Sequence, residues 1–202
     1  MRVIEQLLIN AGISPIAGVD EAGRGACAGP LVIASVVLHD PLTPELAVVR
    51  DSKEIAENKR DAVFELIYDI AESISVVIVP AAEVDARGVH AANLDGMRRA
   101  VQGLDLQPAY VLTDGYAIEG LGLPNLAVWK GDQVVVSISA ASVVAKVTRD
   151  RIMRELDGQF PEYGFAGHKG YITAAHTKAL NEHGPCKEHR TSFANIAALI
   201  HK

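Results

Sequence analysis

"GVDEAGRGACAGPLVIASVVL", residues 18–38, decides how the rest of the chain is interpreted. Two adjacent carboxylates, Asp20 and Glu21, end an apolar segment, and a loop with glycines at 23 and 25 follows them. A second apolar run starts at Pro30, where a strand tolerates proline as its first residue. The short separation of the two runs predicts a β-hairpin. Two charges on a core strand indicate a function, because charged side chains are rarely buried for packing alone.

Strand and helix patterns alternate along the remaining sequence. Helical spacing predicts a helix over residues 59–74, a short strand over 75–80, and one long helix over 81–104 with Gly88 and Gly96 as weak points. The strands "AYVLT" and "LAVWKG" precede a strong helix over 137–156, and further helices are predicted over 173–184 and beyond Phe193. This order predicts an α/β fold, a mixed sheet flanked by helices with a helical C-terminal segment.

Composition limits the class of protein. The chain has 202 residues, of which 49% are hydrophobic, enough for a single domain over 1–202 with a full core. No apolar run reaches 18 residues, so no membrane span is expected, and "MRVIEQLLIN" is typical of a short amphipathic helix rather than a signal peptide. Cys27 and Cys186 are too few and too far apart to indicate a disulfide framework or a zinc site. A reducing cytoplasm is the expected location.

Charge is distributed unevenly. The net charge is −6, yet residues 146–202 hold nine Lys/Arg, six Asp/Glu and five of the seven histidines. The chain therefore has an acidic body, which fits metal binding, and a basic, helical segment over about 146–202, which fits a substrate-holding role through phosphate contacts. Ordinary surface variation is the alternative. His176, His183 and His189 lack the spacing of a helical zinc pair, and most of them are expected to be surface or capping residues.

Four carboxylates share one sequence context. Each follows an apolar strand and has a glycine nearby: Asp20, Glu21, Asp114 and Asp132. Strand ends of one sheet meet at a crevice, where four carboxylates would repel each other and raise each other's pKa. A divalent cation removes that cost, and oxygen ligands favour Mg²⁺ or Mn²⁺. Two such ions ~3.5–4 Å apart form a phosphodiester-hydrolysing centre. Alternatively, Asp114 and Asp132 are turn residues.

Polar residues in the basic segment predict phosphate contacts. The helix over 137–156 carries Ser139, Ser142, Lys146 and Arg149 at a spacing that places them on one face. This stripe is interpreted as a grip on a phosphate backbone or, alternatively, as a solvated face. In "GFAGHKGYITAAH", a loop tyrosine beside a lysine predicts stacking on a sugar or base next to a phosphate contact, with a surface turn as the alternative.

The motifs "VDEAGRGACAGP", "TDGY", "KGDQVVVSISAASVVAKVTRDRIM" and "YGFAGHKGYIT…HGPCKEHRTSF" together resemble bacterial ribonuclease HII, the type 2 ribonuclease H, over about residues 14–193. The resemblance implies a ribonuclease H-like fold and a metal-dependent endoribonuclease that cuts the RNA strand of RNA–DNA hybrids. It also implies nicking 5′ to single ribonucleotides embedded in duplex DNA, which leaves 3′-hydroxyl and 5′-phosphate ends. The missing Lys-containing loop and N-terminal domain of type 3 relatives favour type 2.

Residue roles follow from the same resemblance. It implies that Asp20, Glu21, Asp114 and Asp132 are the catalytic and metal-binding carboxylates, that Gly23, Arg24 and Gly25 read the ribose 2′-hydroxyl, and that Tyr171 stacks on the sugar at the RNA–DNA junction. The phosphate contacts are then assigned to Lys53, Ser139, Lys146 and Lys169. Glu54 replaces a basic residue of the family motif in "DSKEI", and the tail "AALIHK" carries no clamp-binding signature, so no sliding-clamp partner is predicted. A monomer is expected.

Two other functions fit parts of the pattern. A nucleic-acid binding module of the same fold would not need four carboxylates, which repel phosphate without metal. A small-nucleotide phosphohydrolase would use "GRGACAG" as its phosphate loop. The basic C-terminal segment and the loop tyrosine favour a polymer over a mononucleotide.

Overall fold

The structure is a computed structural model that describes residues 3–49 and 56–200. Its elements in chain order are α1 (Val3–Asn10), β1 (Ile16–Ala22), β2 (Leu31–Leu38), a 3-10 turn (Pro44–Val48), α2 (Glu57–Ile70), β3 (Ala71–Val79), α3 (Ala81–Arg87), α4 (Val89–Gln102), β4 (Tyr110–Asp114), β5 (Asn125–Val128), α5 (Gly131–Val134), α6 (Val136–Gln159), α7 (Phe165–His168), α8 (Ala174–His183) and α9 (Ala194–Ile200). Within these ranges, no helix has the length and apolar character needed to cross a bilayer.

The described strands form one mixed sheet in the order β3-β2-β1-β4-β5. β1, β2 and β3 pair antiparallel, and β4 and β5 run parallel to β1. The predicted hairpin of β1 and β2, the mixed sheet and the helical C-terminal segment are confirmed. The parallel register pairs Val19 with Thr113, so Asp20 and Asp114 are the next residues on neighbouring strands.

Helices cover both faces of the sheet, which explains why β2 is apolar at every position except Ser35. Val32, Ala34 and Val36 pack in one core with residues of α2 and α6. Leu31, Ile33 and Val37 face the opposite way, toward α3 and α4. A strand buried on both sides shows no polar alternation, so its sequence is a continuous hydrophobic run.

Gly18 lets α6 lie directly against β1. A Cβ at this position would lie 2.0 Å from the backbone carbon of Ser137, so any side chain here would push the helix away. Side chains alternate along a strand, and Asp20 therefore points to the same face as Gly18, toward α6. The close approach places the polar residues of α6 beside the first carboxylate.

The start of α6 is held by a residue from α1. The carboxylate of Glu5 is fully buried and accepts hydrogen bonds from the backbone N–H groups of Val136 and Ser137, at 3.0 and 2.9 Å. A helix N-terminus carries unsatisfied donors and a partial positive charge, which a carboxylate satisfies. The amphipathic pattern of α1 predicted a helix but not this role for Glu5.

Two predicted helices differ from the structure. The helix expected over 59–74 ends at Ile70, and β3 begins at Ala71, because Ile74 reaches the core equally well from a strand. The long helix expected over 81–104 breaks at Gly88, which has a φ of 78°. Gly96 stays inside α4, where it packs closely against Ile33.

Candidate active site

Three carboxylates converge at adjacent strand ends. Asp20 and Glu21 lie near the end of β1, and Asp114 ends β4. The strands are parallel neighbours, so their carboxyl ends open on the same edge of the sheet. Asp20 is buried, and its Oδ1 accepts the backbone N–H of Glu21 at 2.7 Å.

The electrostatics of this group are unfavourable for three anions. Burial raises the pKa of Asp20 well above its ordinary value, and the charges of Glu21 and Asp114 raise it further. Hydrogen bonds from Ser142 and from the Glu21 backbone act in the opposite direction. A cation at this point would relieve the repulsion, so the site is one where a positively charged ligand is stabilised.

Asp132 lies beside this group but not at a strand end, contrary to the sequence-based expectation. β5 stops at Val128, and Asp132 lies in the first turn of the short helix α5, where it is buried. The backbone N–H of the preceding Gly131 donates to Asp114 Oδ1 at 2.7 Å, which ties the two aspartates together. Two residues connect β5 to α5: Trp129, which is 82% exposed, and Lys130, whose φ is 52°.

Asp20, Glu21 and Asp114 line a cleft of about 340 Å³, whereas Asp132 does not belong to its lining. Most of its lining residues are ones that the sequence singled out: Asp20, Glu21, Ala22, Gly23, Arg24, Gly25, Asp114, Ser142, Lys146 and Tyr171. Residues far apart in the chain are therefore brought together as the motifs predicted. Ser142 lines the cleft and hydrogen-bonds Asp20, although only its place in the polar stripe of α6 pointed to it.

The glycine loop contributes donors and a close contact. Arg24 stacks over the ring of Tyr116 at 4.7 Å, and its Nε is buried with no hydrogen-bond partner in the described part of the chain. Gly25 has open space where a side chain would begin. Gly23 does not, because a Cβ there would lie 1.9 Å from Arg149 Nε. Packing against Arg149 therefore requires a glycine at position 23, whereas Gly25 lines the cleft with free space around it.

The predicted phosphate contacts divide into several groups. Lys146 lines the cleft, and its Nζ donates to Asp150 Oδ1 at 2.7 Å. Ser139 is fully buried, and its single hydroxyl proton is shared between the backbone carbonyls of Asp132 and Val135, which corrects its assignment as a phosphate contact. Lys169 is nearly buried and donates to the carbonyl of Ala166, away from the cleft lining. Lys53 lies outside the described residues.

Arg149 also departs from the predicted polar stripe. It is fully buried and donates to three backbone carbonyls, so it cannot grip a phosphate from this position. Its guanidinium lies 5.4 Å from the centroid of the Tyr171 ring. Helical spacing correctly placed Ser142 and Lys146 on the face of α6 that lines the cleft. It could not predict that other segments of the chain cover Arg149.

A histidine pair supports Tyr171 from inside the molecule. His176 and His189 are buried, which corrects their expectation as surface or capping residues. His176 Nδ1 is 3.0 Å from the Tyr171 carbonyl, His176 Nε2 is 3.0 Å from His189 Nε2, and His189 Nδ1 is 3.0 Å from the Cys186 N–H. The Tyr171 carbonyl can only accept a hydrogen bond, and the Cys186 N–H can only donate one. One assignment satisfies all three contacts: both imidazole rings are neutral, His189 donates to His176, and His176 donates to the Tyr171 carbonyl.

The residues at the cleft fit a divalent metal by their chemistry. Carboxylate oxygens are the ligands that Mg²⁺ and Mn²⁺ prefer. The pKa of Asp20 is raised first by burial and then by the charges of Glu21 and Asp114, and an ion would offset the second of these causes. Within residues 3–49 and 56–200, no three His, Cys, Asp or Glu side chains are already arranged as a complete ligand set.

Solved structures define the class of this fold. The ribonuclease H2 of Pyrococcus horikoshii OT3 superposes with a TM-score of 0.78 at 27% identity, covering 91% of this chain and 96% of that one. The ribonuclease HII of Archaeoglobus fulgidus, solved in complex with PCNA, also gives a TM-score of 0.78, at 26% identity. It covers 89% of this chain and 95% of that one. The fold is therefore that of the ribonuclease H-like nucleases.

Sequence comparison gives the family. Residues 17–196 match the family model of ribonuclease HII. The ribonuclease HII of Parafrankia sp. is 56% identical over 195 residues, which cover 96% of this chain and 81% of that protein. That of Rhodococcus erythropolis is 56% identical over 198 residues, covering 98% and 88%. The chain belongs to the ribonuclease HII family: it is a metal-dependent endoribonuclease that acts on RNA–DNA hybrids.

Proposed function

We propose that this enzyme also nicks duplex DNA 5′ to a single embedded ribonucleotide, leaving 3′-hydroxyl and 5′-phosphate ends. One observation carries the proposal: the loop of residues 23–25 and the half-exposed ring of Tyr171 line the same cleft as Asp20, Glu21 and Asp114. The ribose 2′-hydroxyl distinguishes RNA from DNA at a given position. A cleft that combines hydrolytic carboxylates with a loop able to approach the sugar fits recognition of one ribonucleotide.

In this proposal, Asp20, Glu21, Asp114 and Asp132 hold two Mg²⁺ or Mn²⁺ ions. Bound there, the ions would activate water for attack on the phosphodiester and stabilise the charge on the leaving 3′ oxygen. Ser142 orients the carboxylate of Asp20, to which it hydrogen-bonds, and the Gly131 N–H fixes the orientation of Asp114. These contacts hold both carboxylates in place before substrate arrives, which lowers the cost of reorganisation during the reaction.

Substrate selection would fall to the rim of the cleft. The amides and guanidinium of Gly23, Arg24 and Gly25 supply donors near the sugar, and Gly25 leaves room for the strand to approach. The Tyr171 ring, 39% exposed, offers a surface for stacking on the sugar at the junction. Lys146 contributes positive charge for a phosphate, shared with its contact to Asp150.

We further propose that the chain acts as one catalytic domain and as a monomer in the cytoplasm. The PCNA complex belongs to the Archaeoglobus protein, and we do not extend that partner to this chain.

The test uses three labelled duplexes: DNA with one internal ribonucleotide, the same duplex without it, and a full RNA–DNA hybrid. We expect a nick 5′ to the ribonucleotide with Mg²⁺ or Mn²⁺, no nick in the all-DNA duplex, and no reaction with EDTA. Cutting of the hybrid alone would contradict the proposed recognition of single ribonucleotides. A free mononucleotide is the fourth substrate, and its rapid hydrolysis would instead favour a phosphohydrolase.

A further inference from the structure

Two arginines are buried among backbone carbonyls behind the cleft. Arg149 in α6 and Arg190 in the C-terminal segment are both fully buried. In the part of the chain that the structure describes, neither guanidinium forms an ion pair with a carboxylate. Burial lowers the pKa of Arg149, and burial and the charge of Arg149 lower that of Arg190 to about 10, so burial disfavours the charged form of both side chains. Such a placement is costly unless the donors are fully used.

Both arginines donate hydrogen bonds to backbone carbonyls of residues 24–30, and Arg149 also donates to that of Lys169. Arg149 donates from Nε to the Pro30 carbonyl, from Nη2 to Ala28 and from Nη1 to Lys169, at 2.9 to 3.0 Å. Arg190 donates to the carbonyl of Gly29 from Nε and Nη2, and to that of Arg24 from Nη1. The two guanidinium groups therefore hold residues 24–30 at four carbonyls, and Arg149 also holds the turn before Tyr171.

The two cleft segments are also joined directly to each other. Cys27 N–H donates to the Gly170 carbonyl at 3.0 Å, and a Cβ at Gly170 would lie 2.3 Å from the Ala28 carbonyl oxygen. Arg149 passes the position that a side chain at Gly23 would occupy and ends 5.4 Å from the Tyr171 ring centroid. The same arginine thus contacts the loop from one side and the tyrosine from the other.

Arginine suits this role better than lysine. Its planar guanidinium presents donors in fixed directions, so that three carbonyls are held at set positions relative to each other. A lysine ammonium could satisfy one or two of these carbonyls but would not fix their relative orientation.

We propose that Arg149 and Arg190 are positioning residues for ribose selectivity, an inference that rests on the proposed function. They hold the 23–30 loop and Tyr171 in one geometry, so that the donors of the loop meet a 2′-hydroxyl while the tyrosine meets the same nucleotide. Neither arginine touches the substrate, and their effect is exerted through the loop.

The test compares two substrates in two variants. Single-turnover cleavage rates are measured for a duplex with one ribonucleotide and for the same duplex with a 2′-fluoro-2′-deoxynucleotide at that position. In the wild-type enzyme the ribonucleotide is preferred. In Arg149→Lys and Arg190→Lys we expect this preference to fall by about 10-fold or more, because discrimination based on hydrogen bonds depends on exact donor placement. The 2′-fluoro rate is expected to change little.

The matched control is Arg151→Lys, at a half-buried arginine of the same helix that pairs with Asp61 and does not contact the loop. We expect its substrate preference to equal that of the wild-type enzyme. If Arg149→Lys and Arg190→Lys slow both substrates by the same factor, the arginines serve stability alone and the proposal is wrong. A wild-type enzyme with no ribose preference would instead overturn the proposed function.

A measurement on the wild-type protein keeps the proposal testable if a variant fails to fold. Hydrogen exchange of the Cys27 and Gly29 amides, which donate to Gly170 and Glu188, is expected to be as slow as that of β1. Exchange as fast as in the turn around Gly120 and Gly122 would show that the loop is not held, and would overturn the proposal.

Discussion

The cleft and the interior behind it each bury charges of one sign, and they resolve the repulsion differently. At the cleft, the pKa of Asp20 is raised by burial and further by the charges of Glu21 and Asp114. Behind the loop, Arg149 and Arg190 are buried near each other, but backbone carbonyls surround them. The arginines are satisfied by the fold itself, whereas the carboxylates remain suited to an added cation. The cleft is therefore suited to binding a cation, whereas the two arginines hold the backbone of the loop in place.

The largest effect is expected from Asp20→Asn. Loss of one metal-binding carboxylate should reduce cleavage by about 10³-fold or more, measured on the hybrid with Mn²⁺. The same change should raise the free energy of unfolding in EDTA, because burial and the neighbouring carboxylates raise the pKa of Asp20 and so make its ionised form destabilising. Thermal unfolding would then shift upward by about 2–4 °C per kcal/mol. A variant with normal cleavage would remove Asp20 from the catalytic group.

A second pair of variants separates packing from recognition in the loop. Gly23→Ala places a Cβ 1.9 Å from Arg149 Nε at a φ of 89°, so we expect a stability loss of about 2 kcal/mol or more in urea unfolding. Gly25→Ala meets nothing within 4 Å, and its stability should change by less than about 1 kcal/mol. Any loss of activity in Gly25→Ala would therefore arise at the substrate. Equal destabilisation by the two changes would contradict the packing around Arg149.

Acid should weaken the support of Tyr171. The pKa of His189 is lowered to about 4 by burial and by the neighbouring His176, so the folded state keeps it neutral while the unfolded chain takes up a proton below about 6.5. Stability is therefore fully present above about pH 6.5 and is lost as the pH falls toward 4, by about 2–3 kcal/mol. Urea unfolding at several pH values measures this slope. His189→Gln should flatten it, while His183→Gln, an exposed change, should not.

The smallest effect is expected at the half-buried arginine of α6. Arg151 pairs with Asp61 and Glu65 at the surface and lies 4.4 Å from the Phe64 ring centroid. Exposed ion pairs and cation–π contacts contribute little, so Arg151→Ala should cost about 0.5–1 kcal/mol. Urea unfolding beside Arg149→Ala, expected to cost about 2–4 kcal/mol, gives the contrast directly. Similar values for both would mean that the buried carbonyl contacts are weak.

The sequence predicted the parts of the site that follow from local pattern. The hairpin of β1 and β2, the placement of Asp20, Glu21 and Asp114 at neighbouring strand ends, and the helix carrying Lys146 all follow from periodicity and glycine positions. The elements themselves depend on residues close in sequence, whereas the meeting of the ends of β1 and β4 depends on their pairing in one sheet.

The features that the sequence missed depend on contacts between distant segments. Arg149 shares helical spacing with Lys146, yet only one of them is covered by the loop and the C-terminal segment. Glu5 lies 131 residues from the helix that it caps, and His176 in α8 meets His189 in the segment that follows this helix. No local pattern distinguishes a histidine or arginine on the surface from one buried in this way.

Trp129 gives the molecule an optical property of its own. It is the only tryptophan in the chain, it is 82% exposed in the folded protein, and it follows Val128, the register partner of Asp114. An indole already in water changes its emission little when the chain unfolds, so intrinsic fluorescence would be a weak signal of denaturation. The same indole responds when something covers it, and it lies at the edge of the sheet where the carboxylates converge. Its emission therefore monitors what approaches that edge.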